Sequence, residues 1–167
     1  QLYFDFRARE AAERIENRMA TYQQVLRGTA GFFDVHDDVG REDFRRYSDR
    51  QALDQYLPGI QGVGFARAIR PADLQTHIDQ VRAEGFPSYT VQPAGQRDLY
   101  SSIVYLEPFS GRNLRAFGFD MYSEPVRREA MQRSVDTGAI ALSGRVRLVQ
   151  ETGVQEQSGF LIYQAIY

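Results

Sequence analysis

The sequence predicts an α+β domain in which a long N-terminal helix leads into a mainly antiparallel sheet with flanking helices. Three observations carry this. Ala8, Ala12, Ile15, Met19, Tyr22, Leu26 and Phe33 follow one another at spacings of 4, 3, 4, 3, 4 and 7, a heptad seam. From residue 88 onward apolar and polar residues alternate with a period of two, the signature of half-buried strands. Short helical stretches fall between, closed by Gly or Pro. The 167 residues suffice for one compact domain plus an extended helix.

The first element is the helix. Arg7, Arg9, Glu10, Glu13, Arg14, Glu16 and Arg18 surround its apolar seam, and no Gly or Pro interrupts it before Gly28. Over residues 3–27 it would be ~38 Å long at ~1.5 Å per residue, longer than a domain of this size needs. Residues 1–33 therefore read as a stalk for dimerisation or signal transmission through Ala12, Ile15, Met19, Tyr22 and Leu26. Packing of this seam on the chain's own core is the plain alternative. The aromatics of Gln1-Leu2-Tyr3-Phe4-Asp5-Phe6 suit the water interface beside a membrane span, or the start of an amphipathic helix.

Residues 34–40 read as a polar loop. Its acids Asp34, Asp37 and Asp38 lack the ordered spacing and distal Glu of a calcium loop, so a solvated loop with a helix-capping Asp is favoured. A short helix over 41–55 is stopped by Tyr56-Leu57-Pro58-Gly59. Gln61 to Ile69 reads as a strand. Pro71 opens a helix that buries Leu74, Ile78 and Val81 and ends at Gly85; His77 on this helix reads as structural. Strands are expected at Tyr89–Gln92, Tyr100–Glu107 and 115–121. In the last, Arg115, Phe117, Phe119 and Met121 would point one way and Ala116, Gly118 and Asp120 the other. Ser123-Glu124-Pro125 starts a helix with Ser123 as its cap, running to about Asp136 with Gly138 beyond its end. Strands at Ile140–Ser143, Val146–Gln150 and Gly159–Tyr167 complete the sheet. Sequential strands joined by tight turns imply antiparallel pairing, with helices on one side or at the ends.

Composition excludes several chemistries. With no Cys there is no disulfide, Cys-ligated zinc, iron–sulfur cluster or thiol nucleophile; such a chain suits a bacterial extracytoplasmic domain that needs no staple. Every basic residue is Arg, so no Schiff-base or P-loop lysine exists. Two His cannot build a multi-histidine metal site. The net charge of -2 argues against a nucleic-acid backbone binder. No apolar run reaches the ~20 residues of a membrane span, and the N-terminus shows no signal-peptide pattern.

Catalytic signals are thin. Glu107 and Asp120, at the ends of neighbouring strands, could form a carboxylate pair for glycoside hydrolysis. No nucleophile elbow, zinc-protease helix or phosphate loop accompanies them, and the chain reads as no enzyme, with no cofactor and no metal. A small-molecule pocket fits better. Ala116, Gly118 and Asp120 would leave volume on one sheet face, with one carboxylate to orient a ligand. The alternative is a packed sheet–helix contact in which Asp120 caps the following helix.

Several motifs, in order along almost the whole chain, together resemble the CHASE domains. They are Tyr56-Leu57-Pro58-Gly59-Ile60-Gln61-Gly62-Val63-Gly64-Phe65-Ala66, Tyr105-Leu106-Glu107-Pro108-Phe109 with Asn113, Phe117-Gly118-Phe119-Asp120-Met121, Glu124-Pro125-Val126-Arg127-Arg128-Glu129-Ala130-Met131, and Asp136-Thr137-Gly138-Ala139-Ile140-Ala141-Leu142-Ser143-Gly144. The resemblance implies an extracytoplasmic sensor of a membrane-bound histidine kinase or nucleotide cyclase, with a stalk helix and a PAS-like module over 34–167. It also implies a periplasmic location in an inner-membrane protein, and a membrane-proximal module and second transmembrane helix beyond these residues. In plant members the module binds cytokinins, which are adenine derivatives. An acid just after the strand matching 100–107 grips the purine, and a Thr at the position matching Ser143 lines the pocket. Here the local sequence is Glu107-Pro108, so the acid is displaced or replaced, while Ser143 keeps a hydroxyl. A cytokinin-like or other small organic ligand is therefore expected. Tyr105, Glu107, Phe117, Asp120 and Ser143 are its candidate contacts, and Arg145 joins them as a planar donor for an anion, or else forms a surface ion pair. A homodimer through the stalk, membrane tethering in the whole protein and no nucleic-acid partner complete the expectation, with a protein-interaction module whose pocket is self-filled as the alternative.

Overall fold

A computed structural model describes residues 2–148 and 158–167. It is α+β, with a long N-terminal helix, a small antiparallel sheet and flanking helices. The first helix, α1, spans Leu2–Asp34 and runs through Gly28 and Gly31, beyond the expected end. It divides in two. Side chains 3–18 are exposed all round except half-buried Glu10, and burial begins at Met19. The free part is about 25 Å long at ~1.5 Å per residue. Ion pairs of Glu10 with Arg7 and Arg14 support its surface. The foot of α1 packs through Phe32, stacked on Tyr47 at 4.4 Å, and Phe33, stacked on Phe65 at 4.5 Å. No described helix is long and apolar enough to cross a membrane.

The expected helix over 41–55 is two helices, α2 (Arg41–Gln51) and α3 (Leu53–Tyr56). They break at Ala52, which adopts a left-handed φ of 45°. That turn brings Leu53 against the cluster of Val39, Phe44, Val63, Val104 and Tyr105. β1 (Val63–Ile69) pairs antiparallel with β2 (Tyr100–Glu107). The register jumps from Phe65↔Tyr105 to Ala66↔Ile103, so Val104 is an extra, bulged residue. The bulge places the consecutive residues Val104 and Tyr105 in the cluster beneath α1 and α2, while Ile103 and Leu106 join a separate one.

After a single 3₁₀ turn at Pro71–Asp73, α4 (Leu74–Ala83) buries His77, Ile78 and Val81. These pack with Ile69, Tyr89, Val91 and Tyr100. His77 Nε2 lies 2.9 Å from the Tyr89 hydroxyl, which lies 2.7 Å from Ser102 Oγ. Burial, with a smaller contribution from the Arg67 charge, pushes the His77 pKa down to about 4. Unfolded, it would titrate near ~6.5. The folded form therefore binds fewer protons between these values. Its contribution to stability is complete above pH ~6.5 and is lost as pH falls towards about 4. Urea midpoints measured across that window should fall more steeply for the native protein than for His77→Gln. Parallel pH profiles would rule this out.

The segment 111–123 corrects the sequence reading. The expected strand over 115–121 is absent. Gly111–Ala116 is 3₁₀, Met121–Ser123 is a second 3₁₀ turn, and Gly118 between them has a φ of 82°. That positive φ ends the extended alternation. Isolated bridges Gln92↔Phe119 and Ser102↔Asp120 tie the segment to β2 and the preceding loop. Tyr89–Gln92 is likewise no strand beyond its bridge at Gln92. α5 (Pro125–Thr137) is capped by Glu124 rather than Ser123: the Glu124 carboxylate accepts from the Val126 and Arg127 N–H groups at 3.0 and 2.9 Å. The last strands are shorter than expected. β3 (Ala141–Leu142) pairs with β6 (Ile162–Tyr163), and β4 (Val146–Arg147) with β5 (Ser158–Gly159), all antiparallel. Residues 149 and 150 of the expected Val146–Gln150 strand lie outside the described residues.

Candidate ligand site beside the central strand

Every residue of β2 is buried, so the strand separates apolar compartments. On the α2 side, Arg41 reaches the bulge. Its guanidinium donates to the Val104 carbonyl at 2.6 Å and to Glu84 at 2.8 Å. Its carbon lies 4.5 Å from the Phe86 ring centroid, 5.0 Å from Tyr105 and 5.2 Å from Phe117, a cation–π arrangement. Phe109 closes the cluster 5.2 Å from Phe117. Tyr105 and Phe117, two of the expected ligand contacts, thus meet around one centre, and the chain's own Arg41 occupies it. The Tyr105 hydroxyl donates to the Val39 carbonyl at 2.9 Å, and burial raises its pKa. Glu107 closes the far end of β2. Its carboxylate accepts from the Phe109 N–H at 3.0 Å, and burial raises its pKa against that bond.

Asp120 is fully buried. Oδ1 accepts from the Ser101 and Tyr122 N–H groups at 2.8 and 3.0 Å. Oδ2 sits 3.0 Å from Arg97 Nε in an ion pair whose N–H direction misses a hydrogen bond. The carboxylate fastens the start of β2, the 3₁₀ turn after it and the loop carrying Arg97. It does not face an open hollow. A Cβ on Gly118 would fall 2.3 Å from the Thr90 carbonyl oxygen, and Ala116 is 2% exposed. The volume expected beside Ala116, Gly118 and Asp120 is therefore filled, because the segment coils back onto residue 90 instead of extending as a strand.

Ser143 and Arg145 act within the C-terminal strands. Ser143 Oγ donates to the Gly144 carbonyl at 2.8 Å and accepts from the Leu161 N–H at 2.9 Å. Arg145 Nε donates to Ser158 Oγ at 2.6 Å. Along the stalk seam Ala12 and Ile15 are exposed, while Met19, Tyr22 and Leu26 are half-buried.

The other side of β2 holds Ile103, Leu106, Ala116 and Met121, packed by Phe119, Met131, Leu161 and Tyr163. Among the described residues, two polar atoms are buried here without a hydrogen-bond partner: Arg127 Nε and the Tyr163 hydroxyl oxygen. Arg127 is 4% exposed. Its Nη2 donates to the Arg147 carbonyl at 2.8 Å, its Nη1 lies 3.7 Å from Glu124 Oε2, and its guanidinium carbon sits 5.1 Å from the Phe119 ring centroid. Burial pushes the Tyr163 pKa up, opposed by the Arg127 charge. The sequence reading passed over both residues. A signal existed for Arg127, since it shares the buried face of α5 with Ala130 and Ser134, and a charge at core spacing requires a reason. Elsewhere, a surface hollow of about 590 Å³ opens between the foot of α1 and α2, beside Phe32, His36, Asp43, Tyr47 and Arg50. It contains none of the expected ligand contacts.

A helix exposed along its first half, and a sheet walled by separate apolar compartments, define an α+β module entered through a long N-terminal helix. The family model described as CHASE domain matches residues 37–167, well over half of the chain. The chain belongs to the CHASE domain family, the extracytoplasmic sensor domains of signalling receptors, which sense rather than catalyse. No curated protein matches it.

Proposed function

We propose that this domain senses a small molecule on the periplasmic side of an inner-membrane receptor, a histidine kinase or diguanylate cyclase, and passes occupancy to the output through α1. The observation that carries the reading is the family match over residues 37–167, immediately behind a helix whose first half stands free of its own domain. In a dimer, the exposed seam around Ala12 and Ile15 would meet its copy. A ligand shifts such an equilibrium only by its difference in affinity for the two arrangements, about 1.4 kcal/mol per tenfold.

Thermal-shift screening of purines, carboxylates and amino acids tests the binding step, because a pocket ligand raises the melting temperature by mass action. Transmission is tested in the membrane-bound receptor. The double change Ile15→Asp and Met19→Asp should abolish the response to ligand while leaving ligand affinity within about twofold, well under the ~1.4 kcal/mol of a tenfold change. A preserved response sinks the stalk mechanism. Arg41 within the ring of Phe86, Tyr105 and Phe117 favours a second reading, a self-filled module that senses a periplasmic protein. A protein partner that raises the melting temperature where no small molecule does would favour it.

A further inference from the structure

We propose that the hollow of about 590 Å³ between the foot of α1 and α2 binds a short peptide of about three residues, its ammonium terminus at Asp38 and its carboxylate terminus at Arg50. The inference rests on the sensory reading above and names the ligand class and its place, outside the sheet. A space of this size lies within the roughly 300–1,000 Å³ of small-ligand sites. Unlike the packed compartments beside β2, it is reached from solvent, since Asp38, Asp43, Arg46 and Arg50 around it are all exposed. Its occupant would touch both helices where α1 enters the domain, and so would bear on the angle between them.

Charge and spacing decide the class of ligand. Both signs line the hollow, and most are already matched. Asp43 is tied to Arg46 at 2.6 Å. Asp49 acts on Arg45, whose pKa is raised first by its bond to Glu42 and in lesser part by the Asp49 charge. Among the described residues, neither Asp38 nor Arg50 makes an ion pair. Arg50 follows Asp43 by two turns of α2, about 10 Å along the axis, and Asp38 lies beyond Asp43, ahead of the helix. Three extended residues at ~3.3–3.6 Å each span the same ~10 Å. A single α-amino acid, with both charges on one carbon, is too short to reach the two ends. Midway, Tyr47 stacks on Phe32 at 4.4 Å and offers an aromatic wall to the central side chain. The Phe32 carbonyl accepts from His36 Nδ1 at 2.7 Å, which leaves Nε2 to accept from the ammonium. The end of α1 and the start of α2 both border this side, and their opposite half-charges offset one another.

The peptide Ala-Phe-Ala tests the site in four forms: free, N-acetylated, C-amidated and blocked at both ends. Calorimetric titration at low ionic strength is read on the native protein, Asp38→Asn and Arg50→Gln. Both substitutions change exposed side chains that make no ion pair, so both variants should melt within about 2 °C of native, under ~1 kcal/mol. Blocking either end should weaken binding to the native protein about threefold, as for an exposed charge pair. Acetylation should cease to matter in Asp38→Asn, and amidation in Arg50→Gln. Free phenylalanine should bind about tenfold more weakly than the free peptide. Three results overturn the proposal: equal binding of the free and doubly blocked peptides, full effects of both blocks persisting in the two variants, or no binding of the free peptide. The first two leave the sensory reading intact, since a ligand is bound. After the third, the broader screen decides the sensory reading separately.

Discussion

Asp120→Ala is expected to remove most of the domain's stability. The substitution leaves Arg97 without its carboxylate at a site where Asp120 has no exposed surface, and strips two N–H groups, of Ser101 and Tyr122, of their acceptor. Breaking a buried pair from one side costs about 3–5 kcal/mol. At ~2–4 °C per kcal/mol for a chain of this size, the melting temperature should drop by about 6–20 °C. Asp120→Asn retains an oxygen for the two N–H groups and should lose less. Thermal unfolding followed by circular dichroism checks both. An Asp120→Ala protein that melts within about 2 °C of native would mean that less than ~1 kcal/mol depends on the carboxylate, and that this residue fastens nothing.

The second large effect is expected at Gly118. Its φ of 82° is left-handed, and a Cβ there would meet the Thr90 carbonyl oxygen at 2.3 Å. The conformation alone costs a non-glycine residue about 1–2 kcal/mol, and overpacking adds about 1–3 kcal/mol. Gly118→Ala should therefore lose about 2–5 kcal/mol of stability. Gly111 separates the two contributions: its φ is 54° but nothing lies within 4 Å of an added Cβ. Gly111→Ala should show only the conformational part. Equal losses for the two variants, measured by urea unfolding, would remove the close approach to residue 90.

Much of the fold was readable because its signals are local. The helical run of α1, the Pro71 and Pro125 helix starts and the closing Gly138 are set by neighbours a few residues away, and these appear where expected. β1 and β2 were readable for the same reason. The run Arg115 to Met121 misled because its apolar–polar alternation imitates a strand. What decides it is the positive φ of Gly118 beneath the Thr90 carbonyl, a contact no local pattern encodes. The site shows the same division. Tyr105 and Phe117 were expected as ligand contacts; their rings lie around one centre in the structure. Its occupant comes from Arg41, 63 residues before Val104, where nothing in the sequence ties the two together. Asp120 was weighed as a cap as well as a ligand contact, and the geometry favours the cap. Ser143 was chosen for its hydroxyl, which is engaged in joining the C-terminal strands.

The bulge in β2 also has a mechanical side. Phe65, opposite Tyr105 across the jump in register, carries the ring on which Phe33 at the base of α1 is stacked. In the proposed transmission that stack would serve as the pivot, with residue 3 about 45 Å away at ~1.5 Å per residue. A rigid tilt of about 5° about Phe33 would swing residue 3 by about 4 Å, larger than the ~1–2 Å helix shifts that switch packed interfaces. Under the proposed transmission, a modest rearrangement around Val104 and Tyr105 would arrive magnified at the outer end of the rod.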